Sequence, residues 1–289
     1  RGTFIGALQR ESSPGLLKRV FMLVHRSYLR QEGLVADGVL VGIQGVLPSA
    51  DVQFNFLPAT DPTEYVEGLI GEILRAKETA GIVVTKVPFV VQRAIRDSGL
   101  PAVVHGSLYP SINRLAWVEQ DNLGIAKLIA DYAAAHGCTH VCALTREVMF
   151  PGDNVVLREL GRLLGAAGQT AGNYSIAHLP DDRHAIMTEV AELIQRHPTN
   201  LCLLCRSEAK AAAAVAAIDR LGLKGRRRPR LIVSGLYQRP TGECPYPYVF
   251  PTARPEEIGA AIGRLLAAQV TDPKTAPGHI VVPVELAEG

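Results

Sequence analysis

Residues 115–145 read LAWVEQDNLGIAKLIADYAAAHGCTHVCALT, and their order of strand, acidic turn, helix, glycine break and strand decides the fold. A short apolar run, 115–118, is interrupted by Glu119, Gln120, Asp121 and Asn122. Ile125, Leu128, Ile129 and Tyr132 then recur at helical spacing, which gives one apolar helix face. Asp121 stands where an N-cap belongs, and Gly137 ends the helix just before the next strand. Similar βα units lie on both sides, so the stretch reads as the join between two halves, with the acidic turn at the seam.

Outward toward the N-terminus, residues 3–8 (TFIGAL) read as a buried strand followed by the polar cluster Gln9, Arg10, Glu11 and Ser12. Ser13-Pro14 is a good helix start, and Leu17, Val20, Phe21, Val24 and Tyr28 predict one apolar face for a helix over 14–30. A glycine-spaced apolar segment, 34–47, reads as a second helix weakened by Gly38, Gly42 and Gly45. Strands are expected at 52–57, 81–85 and 102–105, with helices at 61–77 and 88–97. The second half repeats the rhythm: strands at 140–145, 174–179, 201–205, 231–234 and 279–284, helices at 154–167, 182–196, 207–221 and 255–268. A Pro/Tyr-rich loop runs up to Tyr248.

Strands alternating with helices of this length imply an α/β protein of two doubly wound parallel-sheet lobes, each sheet covered on both faces. The lobes are expected at 1–120 plus 251–275 and at 121–250 plus 276–289, joined by a hinge that the chain crosses three times. Ligands of such sheets bind at the carboxyl ends of the strands, so two facing lobes would share one cleft.

Composition bounds the function. The chain has 289 residues, long enough for two lobes of ordinary size. With 47% hydrophobic and 20% charged residues it belongs to the globular class, and a net charge of +2 offers no basic field for nucleic acid. No apolar run approaches a membrane span, and no signal peptide is visible. Five cysteines without framework spacing read as reduced thiols of a cytoplasmic protein.

Several motifs spell chemistry by chance. Ser207-Glu208-Ala209-Lys210 is S-x-x-K without its companion motifs. Cys202 and Cys205 form C-x-x-C inside a strand, where residues three apart point to opposite faces. Cys138, His140 and Cys142 are expected to share a strand face, but buried small residues account for them better than zinc. The basic run 226–230 reads as a solvated loop. No nucleophile elbow, zinc helix or P-loop is found, so an enzyme, a metal and a cofactor are all without support.

Four segments together carry a family signature. Residues 118–124 (VEQDNLG), then a helix and Gly137-Cys138-Thr139-His140, are similar to V-x-x-D-N-x-x-G and an L-G-H turn. Residues 205–223 (CRSEAKAAAAVAAIDRLGL) align without a gap with C-A-N-D-x-x-A-x-G-A-x-x-A-L-x-x-L-G-L. Residues 231–235 resemble V-S-V-V-G-F-D, and 252–259 (TARPEEIG) a T-x-x-x-P-x-x-x-x-G return to the first lobe. In this order the chain resembles the sensor portion of the LacI/GalR transcriptional regulators, which have the type I periplasmic-binding-protein fold.

The resemblance implies a ligand-sensing and dimerising domain that closes on a small polar effector, sugar-like in the family. It also implies a DNA-binding domain ahead of Arg1, so that these residues alone would not hold operator DNA. The competing class with the same fold is a binding protein of a transport or chemoreceptor system. Departures from the pattern fall at the site itself: the family's N-D pair lies on Ser207 and Glu208, and its later acid on Tyr237. Its clamping Arg lies on Val156, or on Arg158 if the helix is shortened, and residues 10–33 read as an insertion.

The expected ligand-binding residues each have a second reading. Gln9, Arg10 and Glu11 follow the expected first strand. Asp121 caps its helix and sits at the seam, roles that are compatible. Glu119 shares the seam or is a solvated turn residue. His105 ends a core strand, where a structural histidine is common. Arg206 and Glu208 follow a strand's carboxyl end, where Glu208 also suits the helix dipole. Tyr237 opens a loop and either stacks on a ligand or packs.

Overall fold

The computed structural model describes residues 17–25, 35–166, 173–236, 244–274 and 276–288. Its first strand, β1 (Arg19–His25), corrects the helix expected over 14–30. Leu17, Val20, Phe21 and Val24 do fit a helical period, but residues 20–24 are five apolar side chains in a row. That leaves no polar face, and it is the mark of a strand buried on both sides in a parallel sheet. Val20 and Met22 pack into one core cluster, Phe21 and Leu23 into another. Leu17, Val20, Phe21 and Val24 are therefore buried inside their own lobe. The strand expected over 3–8, with Gln9, Arg10 and Glu11, lies outside the described residues. β1 falls inside the stretch 10–33 expected as an insertion, α1 (Val35–Val46) is the next described element, and the rest of that stretch lies outside the described residues.

The first sheet comprises β1, β2 (Asp51–Leu57), β3 (Ala80–Thr85), β4 (Ala102–His105), β5 (Ala116–Gln120) and β11 (His279–Val282). Their order is β11-β5-β4-β3-β1-β2, parallel throughout. The second sheet comprises β6 (His140–Arg146), β7 (Tyr174–Leu179), β8 (Leu201–Cys205), β9 (Arg230–Val233), β10 (Tyr248–Pro251) and β12 (Val284–Ala287). Its order, β12-β10-β9-β8-β6-β7, repeats the first, with β12 antiparallel to β10. The chain passes between the sheets after Gln120, after Pro251 and after Val282. The tail 276–289, expected whole in the second lobe, is thus divided: β11 extends the first sheet, and β12 the second.

Helices cover both faces of each sheet. On the first, α1 and α8 (Pro255–Thr271) take one face, and α2 (Pro62–Ala76) and α3 (Phe89–Ser98) the other. On the second, α4 (Asn122–Ala135) and α5 (Pro151–Ala166) lie opposite α6 (Arg183–Arg196) and α7 (Glu208–Arg220). The glycines of α1 have a packing reason. A Cβ on Gly42 would lie 2.1 Å from the Glu256 carbonyl oxygen, and one on Gly259 2.0 Å from that of Val39. The α1 and α8 backbones therefore approach closely only because both residues lack side chains.

Cys202 and Cys205 join clusters on opposite faces of the second sheet. Cys138 precedes β6 and lies on the other face from Cys142, contrary to the shared face expected. Among the described residues no group of His, Cys, Asp and Glu could hold a metal, and no helix is long and apolar enough to cross a membrane.

Candidate functional site

The carboxyl ends of both sheets meet at one cavity of about 70 Å³. By the rule that a buried water needs ~10–15 Å³ of such space, it has room for several waters or one small polar group. Its walls include Lys86, His105, Ser107, Glu119, Gln120 and Asn122 from the first lobe and the seam, and Arg146, Phe150, Asp153 and Arg206 from the second. Each strand end delivers its own part: β3 leads to Lys86, β4 to His105 and Ser107, β5 to Glu119, β6 to Arg146 and β8 to Arg206.

On the first-lobe wall, Ser107 donates to Glu119 Oε2 in a short hydrogen bond. Asn122 Nδ2 donates to the same oxygen at 2.8 Å and to Ser107 Oγ at 3.1 Å. Burial pushes the Glu119 carboxyl up from its ordinary value, against the pull of these two donors. Buried Gln92 fixes the loop behind them, donating to the Ser107 carbonyl and accepting from Tyr109 N, both at 3.2 Å. His105 is buried with Nδ1 3.5 Å from Thr85 Oγ1. Burial first, and then the Lys86 charge, lower its pKa to about 4, so the ring is neutral at pH 7.

The second-lobe wall is an ionic knot. Arg206, 5% exposed, donates from Nη1 to Ser234 Oγ at 2.8 Å and from Nη2 to Asp153 Oδ1 at 2.7 Å. Arg146 Nε stands 3.7 Å from the other Asp153 oxygen, which also accepts from Phe150 N at 3.1 Å. Burial would raise the Asp153 pKa, but the two guanidinium charges and these hydrogen bonds outweigh it and hold it at about 2. Beside the knot, the fully buried Lys210 pairs with Asp181 at 2.6 Å.

The lobes touch around the cavity. Gln120 Nε2 donates to the Leu236 carbonyl at 2.6 Å, and the His25 and Phe150 rings meet edge to face at 6.2 Å. Gly152, in the first turn of α5, lets that helix come up against Ser107, since a Cβ there would lie 2.8 Å from Ser107 Oγ. The two lobes are thus in contact beside the cavity.

Of the residues expected from sequence, His105, Glu119 and Arg206 line this cavity. Asp121 does not; it caps α4, accepting from Gly124 N at 2.8 Å. Glu208 opens α7 on the exposed surface, away from the cavity, with Ser207 as the cap. Gln9, Arg10, Glu11 and Tyr237 lie outside the described residues. Val156 is a core residue and Arg158 is exposed, so the clamping Arg of the family pattern has no counterpart at either. Arg146 and Arg206 bring guanidinium groups to the cavity instead. Lys86, Ser107, Arg146 and Asp153 escaped the sequence reading. Lys86 and Ser107 follow a strand's carboxyl end within two residues and Arg146 ends one, the signal that would have found them.

No family model and no curated protein matches the sequence. Solved structures do match its fold. The transcriptional regulator CelR in complex with cellobiose superposes with a TM-score of 0.76 at 17% identity, over 94% of this chain and 84% of that one. A LacI family transcriptional regulator from Enterococcus faecium with bound ribose gives 0.70 at 14% identity, over 94% and 97%. The lac repressor dimer bound to operator and an anti-inducer gives 0.73 at 12% identity, over 95% and 94%. The chain therefore has the fold of the LacI-family effector-binding domains, as its motif order implied.

Proposed function

We propose that this chain is the effector-sensing part of a cytoplasmic transcription regulator of the LacI type, and that it binds a small polar molecule between its lobes. The observation that carries the reading is the cavity between the lobes, where Lys86, Ser107 and Glu119 of one lobe face Arg146, Asp153 and Arg206 of the other. A molecule held by both walls has its full set of contacts only when the lobes are together, so binding favours the closed angle. In a dimer that change of angle would reach a DNA-binding domain fused upstream. Dimerisation is part of the proposal and is supported by the likeness to the lac repressor dimer.

The test is a thermal-shift screen of monosaccharides, sugar phosphates, sugar acids, nucleobases and amino acids, each hit being titrated against Gly152→Leu. The new side chain would stand between α5 and Ser107 and hold the lobes apart. We expect at least one hit, weakened about tenfold or more, or ~1.4 kcal/mol, by the wedge. An empty screen, or a hit that Gly152→Leu binds as tightly as wild type, would remove the cleft from the proposal. Sedimentation of the same samples at tens of micromolar, the range of weak association, is expected to give a dimer; monomer alone would remove dimerisation.

A further inference from the structure

We infer that the base of the second lobe carries a second small-molecule site, which takes a nucleotide. Its phosphates lie on Arg226, Arg228 and Arg230, and its base against Tyr246. The site is separate from the interlobe cavity, and the inference does not depend on what that cavity binds.

The first ground is shape. The amino ends of the parallel strands β6, β8, β9 and β10 border a groove of about 780 Å³. It lies at the opposite end of the second sheet from the interlobe cavity. Ligand pockets commonly enclose ~300–1,000 Å³, so the groove has room for a nucleotide. Its apolar lining includes Val215 and Ile218 of α7 and the rings of Tyr132 and Tyr246. The His136 ring lies on Tyr132, with centroids 4.1 Å apart, and Tyr132 is buried. Tyr246 is only partly buried, so it is the ring that a base can reach and stack on.

The second ground is charge. Residues 220–230 hold six of the chain's 30 Lys and Arg and no acid, so the rest of the chain, with all 28 Asp and Glu, is net acidic. The basicity is local. Arg226, Arg228 and Arg230 line the groove, and no Asp or Glu does so among the described residues. Arg228 pairs at 3.0 Å with Asp219, which does not line the groove, and both side chains are about half exposed. Exposed pairs of this kind contribute little and give way to a better acceptor. Arg226 and Arg230 have no carboxylate partner among the described residues. Glu288 is near enough for its charge to be felt at the Tyr132 hydroxyl, where Arg230 acts against it. Guanidinium groups are planar forks that match phosphate oxygens two at a time.

The third ground is the backbone that carries the arginines. The loop is exposed, as its sequence implies, but it is tied down. Gly225–Arg227 form a 3-10 turn, and Arg228 N donates to the Gly225 carbonyl at 3.1 Å. Asn200 N, at the start of β8, donates to the Arg226 carbonyl at 3.0 Å. Buried Pro229 anchors the chain between Arg228 and Arg230. A ligand thus meets three guanidinium groups on a backbone already in place, which lowers the cost of ordering them.

The experiment is calorimetric titration of ATP, GTP, AMP, adenosine and inorganic tripolyphosphate. We expect ATP or GTP to bind tenfold or more tighter than adenosine, and tighter than tripolyphosphate. Arg226→Gln and Arg230→Gln, at exposed positions, should leave Tm unchanged and each weaken that nucleotide about tenfold or more, the effect of one charge-assisted hydrogen bond. Tyr246→Leu should weaken the nucleotide and leave tripolyphosphate as before. A preference between ATP and GTP supports the inference and identifies the base. Tripolyphosphate binding as tightly as either nucleotide would overturn it, since the groove would then read charge alone. A nucleotide indifferent to both arginine substitutions would overturn it too, placing the ligand elsewhere, the interlobe cavity included. Failure of every nucleotide to bind at millimolar concentration would also overturn it. If duplex DNA were then held through the same arginines, the loop would be a nucleic-acid contact instead.

Discussion

Gly42→Ala is expected to destabilise the first lobe by about 3 kcal/mol or more, at the upper end of ordinary overpacking. The added Cβ would lie 2.1 Å from the Glu256 carbonyl oxygen and 2.6 Å from Ala260 N. Both are backbone atoms of α8, so no side chain can swing aside. The helices would have to part by more than an ångström, opening the cluster in which Val39, Ile43, Ile258 and Ile262 pack on the first sheet. Gly45, on the same helix, is exposed and has nothing within 4 Å of the corresponding position. There the same change adds helix propensity, worth up to ~1 kcal/mol. In a melt at ~2–4 °C per kcal/mol, Gly42→Ala should lower Tm by roughly 6–12 °C and Gly45→Ala should raise it slightly. Equal shifts at the two positions would show that α1 and α8 do not meet as described.

The second large effect is expected from Asp153→Asn. The substitution keeps the shape but leaves Arg206, Arg146 and Lys86 facing one another without their shared counter-charge. Breaking a buried pair in this way costs about 3–5 kcal/mol. The effect carries a pH signature. The folded-state pKa of Asp153 is depressed from 3.8 to about 2. Its ionisation therefore contributes stability that is fully present above about pH 4 and is lost as pH falls through the window down to about 2, on the order of 2 kcal/mol in all. Urea midpoints of wild type and variant should lie well apart at pH 7 and draw together as pH drops through that window. A gap that stays constant with pH would mean that Asp153 does not carry the charge balance of the knot.

What could be read in the sequence follows from how far each signal reaches along the chain. The βα alternation and the capped helix at Asp121 are local patterns, visible within a dozen residues. Leu17, Val20, Phe21 and Val24 satisfy a helical period by coincidence; the unbroken apolar run at 20–24 is the better witness to β1. His105, Glu119 and Arg206 are legible as cavity residues because they stand at or just beyond strand carboxyl ends, a rule that applies with equal force to Lys86 and Arg146. Asp153 is different in kind. It lies in the first turn of α5, and only its approach to Arg206, 53 residues away, gives it meaning. The glycines of α1 likewise read as weakness until α8, more than two hundred residues on, is laid against them.

On the ribosome the first lobe arrives in two pieces. β1–β5 emerge early, yet their sheet ends on β11 and one of its faces is covered by α8. Gln269 of α8 bonds both backbone groups of Ala102, 167 residues upstream. Until residues 255–282 have left the exit tunnel, Val83, Val103 and Ala116 lack part of their cover. The second lobe has no such gap: residues 122–251 bring its sheet and its four described helices in one continuous length, short only of edge strand β12. The half of the molecule translated later is the one that can close sooner, and the nascent first half must wait, partly uncovered, for residues 255–282.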